Sequence, residues 1–200
     1  MPNWCDNTLT ITGDTTTLVE LKSIIDSDDT GLLEAIKPIG DWVYQTAVDA
    51  WGCKWDVSSE GLEYTDNGDG TSTITGWFQS AWSPPIDAFQ TLADDWDSCY
   101  IELKYFEPGM DFIGVWDSEG GDAYFDGIAD MIHDGTFQED QVLKELIEDF
   151  GCEEWYDTGE QMFEDENITT PEDGVDTTVA PVFEKGYPSY EAVNGVKQDD

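Results

Sequence analysis

Leu9 and Ile11 alternate with polar neighbours in NTLTIT, residues 7–12, which predicts a half-buried strand ended by Gly13 and Asp14. Leu18, Leu21, Ile24 and Ile25 then recur at helical spacing. The stretch 28–50 is less regular, and Leu32, Leu33 and Ile36 predict only a short helix stopped before Pro38. LEYTDNGDGTSTITGWF reads as two strands joined by a Gly/Asp/Asn turn. PPIDAFQTLADDW opens on prolines suited to a helix start and sets Ile86, Phe89, Leu92 and Ala93 on one face. CYIELKYF alternates again, and FIGVWDSEGG reads as one more strand and turn.

The first six elements run strand, helix, strand, strand, helix, strand. That order predicts an α+β chain with the split βαβ arrangement of a ferredoxin-like sandwich. Two helices are expected beyond it, over 122–134 and 137–150. Thr136 and Glu139 stand at capping-box spacing for the second, and Gly135 and Gly151 fit the positions just past each helix. From about 153 to 179 the chain is acidic and poor in aliphatics, which predicts a loop-rich tail. APVFEKGYPSYEAV then regains aromatics and is expected to dock back onto the body. The expected division is a ferredoxin-like domain over 1–116 and an acidic, partly helical C-terminal extension over 117–200.

Four segments carry a resemblance: MPNWCDNTLTITG (1–13), WGCKWD (51–56), FQSAWSPP (78–85) and YFEPGMDFIGVW (105–116). In this order they resemble the YubB-type ferredoxin-like proteins of plasmids and phages. Cys53 and Ser80 depart from it, standing where threonines are expected. The resemblance covers roughly residues 1–116 and implies the fold and a mobile-element origin. It supplies no catalytic residues.

Charge sharpens the picture. The chain has 46 acidic residues against seven lysines, no arginine, and a net charge of −39. Residues 1–116 hold 21 acids and four lysines, net −17, while the shorter 117–200 segment holds 25 and three, net −22. Direct nucleic-acid binding is not expected in such a field, because phosphate contacts need Lys and Arg. Anionic membranes are repelled as well, and a basic protein partner is the natural complement. Nine Trp, eight Tyr and nine Phe supply a core, so high charge here does not predict general disorder. The chain shows no signal peptide and no apolar run near ~20 residues, so a cytoplasmic location in a host cell is expected.

Little supports catalysis, and no enzyme activity or cofactor is expected. His133 is the single histidine, which leaves no second imidazole for a metal cluster. The turn DNGDG, Asp66–Gly70, puts glycines at two positions where an EF-hand needs oxygen ligands, so it reads as a hairpin turn. Ser83 lies outside any strand-to-helix elbow. Cys5, Cys53, Cys99 and Cys152 form no C-x-x-C pair, and Cys5 and Cys53, each near a Trp, read as core thiols. The tryptophans of the shared segments are likewise expected in the core.

Asp122, Asp126, Asp130 and Asp134 recur every fourth residue, a ladder of like charges along one edge of the expected helix. A solvated amphipathic face explains it blandly, and a strand-and-turn reading of AYFDGI is open because Gly127 weakens a helix. Phosphate mimicry is the sharper reading: 39 charges equal those of about 20 base pairs of DNA. On that reading the partner-binding residues are Asp122, Asp126, Asp130, Asp134, Glu139, Asp140, Glu145, Glu148, Asp149, Glu153 and Glu154. The expected function is a mobile-element anti-defence inhibitor that engages a basic host protein, such as a defence nuclease or another DNA-binding protein. The alternative is an accessory or structural phage protein whose acidity is an adaptation to high salt.

Overall fold

A computed structural model describes residues 3–26 and 30–156. Of the loop-rich tail expected over about 153–179, residues 153–156 are helical instead, and the remainder, with the docking segment, lies outside the described residues. In chain order the elements are β1 (Trp4–Asp14), α1 (Thr15–Ile25), α2 (Leu32–Ile36), α3 (Tyr44–Trp51), β2 (Leu62–Asp66), β3 (Thr71–Ala81), α4 (Ile86–Asp95), β4 (Tyr100–Glu107), β5 (Phe112–Asp117), β6 (Asp122–Asp126), α5 (Ile128–Asp134) and α6 (Gln141–Phe150). Six strands form one sheet in the order β2-β3-β1-β4-β5-β6, with every pairing antiparallel. Its first four strands, with α1–α3 and α4 as the two crossovers, are the split βαβ arrangement of the ferredoxin-like fold.

Alternation along the strands divides the burial between two faces. Leu9, Ile11, Ile74, Phe78, Ile101, Leu103 and Trp116 join Leu18, Leu21, Leu33, Trp51, Phe89 and Leu92 from α1–α4 in the main core. Phe106 and Ile113 point the other way, into a second core with Ile128, Phe137, Leu143, Leu146, Ile147 and Cys152. The sheet runs through residue 116 without a break, since β5 pairs with β4 on one side and β6 on the other.

Three expectations change here. Residues 122–134 are not one helix. Asp122–Asp126 is an edge strand, Gly127 turns the chain at φ +71, and the helix spans only Ile128–Asp134. Pairing with β5 satisfies one edge of that segment's backbone, which a helix breaker at Gly127 leaves free to extend. Secondly, the last helix begins at Gln141, because Thr136–Glu139 is a 3-10 turn. Its cap is Asp140, whose carboxylate accepts the N–H groups of Val142 and Leu143 at 2.9 and 3.1 Å. Thirdly, the irregular 28–50 stretch contains α3 as well as α2. Gly135 and Gly151 take left-handed conformations at the helix ends, as their spacing predicts.

Candidate functional site

The eleven acidic residues singled out from the sequence are all exposed. Asp122 and Asp126 stand on the β6 edge strand, with exposed Tyr124 between them on the same face. Asp122 lies opposite Trp116 of the main core, so this face is the one that carries the first helix layer. Asp130 and Asp134 sit on α5, which packs against the second core, so the ladder is two pairs on two elements. Glu139 ends the 3-10 turn, and Glu145, Glu148 and Asp149 lie on α6. Glu153 and Glu154 follow Gly151 in the helical residues 152–156.

Lysine offsets little of this charge. Lys104 on β4 donates to Asp149 at 2.6 Å, and Lys144 lies 3.8 Å from Glu148 one turn along α6. Burial works against the Lys104 charge, but the Asp149 carboxylate, with Glu102 and Glu145 nearby, raises its pKa above the ordinary lysine value. Lys104, Glu102, Asp117, Asp122 and Glu145 line a groove of about 400 Å³ between the sheet and α6. Glu145 faces this groove from α6, whereas Asp122 only borders it at the sheet edge, its side chain being on the Trp116 face.

A second cluster was expected in the core and is on the surface. Trp51 and Trp116 of the shared segments are buried, but Trp4 is 43% exposed and Trp82 is 40% exposed. Trp42, Val43 and Tyr44, which lead into α3, are also exposed. Trp4, Trp55, Lys54, Trp82 and Tyr44 form a connected array. The Trp4 and Trp55 ring centroids are 6.1 Å apart, and Tyr44 meets Trp82 edge-on at 6.0 Å. Between them the Lys54 ammonium lies 4.4 Å from the Trp55 centroid and 4.5 Å from that of Trp82. The Trp42 indole N–H donates to the Lys54 carbonyl at 3.0 Å.

Local sequence explains why these rings stay out of the core. Gly52, left-handed at φ +81, ends α3 and turns the chain so that Lys54 N–H reaches the Ala81 carbonyl at the end of β3. Trp82 itself has φ +78, a conformation costing a bulky residue on the order of 1–3 kcal/mol. Its N–H donates to the Asn3 carbonyl at 2.9 Å, which holds it beside Trp4. A partly buried chain of hydrogen bonds joins the segments that carry the rings. Asn7 Nδ2 donates to Ser80 Oγ at 2.9 Å, Ser80 Oγ to the Ser83 carbonyl at 2.7 Å, and Ser83 Oγ to the Gly52 carbonyl at 2.6 Å. The strand ends and both loops are thereby fixed to one another.

The thiols beside this array are not activated. All four cysteines are buried and unbridged, and burial pushes the Cys53 thiol up to about 12. Among the described residues no group of three or more His, Cys, Asp or Glu side chains is arranged to hold a metal ion. His133 lies in the last turn of α5, on the exposed side. A signal for the array did exist in the sequence: Trp42, Val43 and Tyr44 are consecutive, and three consecutive side chains cannot all face one core.

Comparison with known proteins gives a family and no chemistry. No curated protein matches the chain. Among solved structures, the protein api92 from Yersinia pseudotuberculosis is similar at a TM-score of 0.45 and 10% identity, over 63% of this chain and 98% of that one. The family model described as the ferredoxin-like domain in Api92-like protein matches residues 51–151. That span takes in α3's last residue, β2–β6 and α4–α6, just over half of the 200 residues, and the chain belongs to this family of Api92-like ferredoxin-like domains.

Proposed function

We propose that the protein acts by binding, presenting carboxylates to a basic host protein in the places where that protein expects phosphates. One observation carries the reading: among the described residues, eleven exposed carboxylates on β6, α5, α6 and their connections are met by two lysines, Lys104 and Lys144. Packing does not account for this excess, because the apolar sides of the same elements already fill the second core. The field repels nucleic acid and draws in basic surfaces with fast, salt-sensitive association. A nucleic-acid-binding protein of the host, such as a defence nuclease, has the complementary surface. The resemblance of residues 1–116 to YubB-type proteins of plasmids and phages supports that setting inside a host cell. On this reading the protein is an anti-defence inhibitor without catalysis.

Capture from host lysate at low and high salt tests it. A basic nucleic-acid-binding protein, retained at low salt, released at high salt and displaced by duplex DNA, is the expected result. Absence of any such partner, together with folding only above molar salt, would make the acidity a salt adaptation and overturn the reading.

A further inference from the structure

The aromatic array is a binding surface in its own right, and its chemistry points to a cation. We infer that the Trp55–Trp82 clamp is a recognition site for an arginine side chain of a partner peptide, with Lys54 as its internal placeholder. The free protein already holds a cation there, at 4.4 and 4.5 Å from the two ring centroids, well within cation–π range. Among the described residues, Lys54 makes no ion pair with a carboxylate. In a chain of net charge −39 that is notable, since carboxylates are abundant and the ring faces hold this lysine instead.

The spacing of the clamp is set in advance. Trp55 and Trp82 come from separate loops, and the Asn7–Ser80–Ser83–Gly52 hydrogen-bond chain fixes both loops to the end of the sheet. Trp82 keeps a left-handed backbone to stand there, and Trp4 and Tyr44 extend the ring surface on either side. A guanidinium is planar and more weakly hydrated than an ammonium, so it stacks on indole faces more readily than the lysine it displaces. The acidic field concentrates such cations near the surface. This site is independent of the acidic-surface reading, because none of its residues lies between 122 and 154.

Small probes separate the clamp from the general field. N-acetyl-arginine amide is titrated into the unaltered protein, with the indole N–H resonances followed by NMR and assigned by single Trp→Phe substitutions. The neutral isostere N-acetyl-citrulline amide is titrated in parallel. The Trp55 and Trp82 resonances should move with the arginine probe and stay still with citrulline. Lys54→Ala should bind the arginine probe about three- to tenfold more tightly, because the internal competitor is gone. Trp55→Leu should lose the response at Trp82. The combined Asp122, Asp126, Asp130 and Asp134→Asn variant should change the affinity by less than about twofold, so failure of the mimic reading leaves this test intact. Equal responses to both probes, or none at these two indoles in the unaltered protein, would overturn the proposal. So would a response to a proline pentapeptide with none to arginine, which would mark the array as a polyproline groove.

Discussion

The backbone N–H of Leu33 donates to the Asp56 carboxylate at 2.7 Å, across 23 residues of chain. Val57 and Glu34 donate to the same group at 2.8 and 3.3 Å, so one side chain caps α2 and orders the loop after α3. Gly31, at the helix's own cap position, offers no side chain for the task. Asp56→Ala should therefore cost about 2 kcal/mol in urea or thermal unfolding, the range of a lost cap with amides left unmet. Asp56→Asn, which keeps an acceptor, should cost less. Because the same loop carries Lys54 and Trp55, the Ala variant should also broaden the Trp55 indole resonance.

Stability should rise as pH falls below neutrality. Burial raises the Asp56, Asp87 and Glu107 carboxyls above their ordinary values, despite backbone N–H groups that donate to Asp56 and Glu107. In the window between the unfolded and the raised folded pKa, the folded state binds more protons, so stability grows as pH drops through the raised folded values toward the ordinary carboxylate range of about 4. Screening and titration of the surface charge act in the same direction. A second loss is expected on the alkaline side. Burial holds Cys53 and Cys152 at about 12, so the unfolded thiols ionise first and stability falls above about pH 8.5. A melting temperature that is flat or falls from pH 8 to 5.5 would contradict the first half of this profile.

Gly76→Ala should be among the most damaging single-methyl changes. A Cβ at Gly76 would stand inside the Gly61 carbonyl, and one at Gly61 would meet the Trp77 carbonyl. Backbone on both sides cannot swing away as a flexible side chain can, so roughly 3 kcal/mol or more is expected. Gly68→Ala is a useful comparison: it has open space, and only its φ of +78 opposes the change. Chemical denaturation of both variants should separate a clash from conformational strain.

Leu103 lies in the main core and Leu146 in the second, on opposite faces of one sheet. Replacing either with Ala should cost about 2–5 kcal/mol and lower the same single transition. Two transitions, with Leu146→Ala moving only one, would show that α5 and α6 fold separately from the sheet.

Replacing Asp122, Asp126, Asp130 and Asp134 with Asn should leave stability unchanged or slightly improved, since like charges are removed. Binding to the basic partner should weaken about tenfold or more, because charge-assisted contacts are lost. The matched change at Asp6, Glu60, Glu63 and Asp66 should weaken it far less. Calorimetric titration of both variants measures the contrast, and equal losses would indicate a diffuse field with no preferred face.

Much of the architecture is legible in local pattern. β1, the β2–β3 hairpin, α4 and β4 follow from two- and 3.6-residue periods with turn residues between them, and these signals depend on neighbours only. Excess charge is equally legible, because composition sets it. The segment 122–134 was half legible: its aspartates recur at helical spacing, Gly127 left a strand-and-turn reading of AYFDGI open, and pairing of Asp122–Asp126 against β5 decides for that reading. The cap on α2 was hidden for a related reason, as its donor and acceptor are 23 residues apart.

The sequence alone therefore determined the split βαβ core and the acidic character, since periodicity and net charge are additive properties of the chain. Tertiary structure decided which aromatic rings are buried. Trp4, Trp55 and Trp82 share the apolar character of Trp51 and Trp116, and nothing in the side chains tells the two sets apart. Trp4 and Trp82 are exposed and Trp55 half-buried because of left-handed turns at Gly52 and Trp82 and an Asn7–Ser80–Ser83 hydrogen-bond chain that joins distant segments. Long-range hydrogen bonds of that kind exist only once the sheet has formed, and they place a lysine between two indoles at the surface.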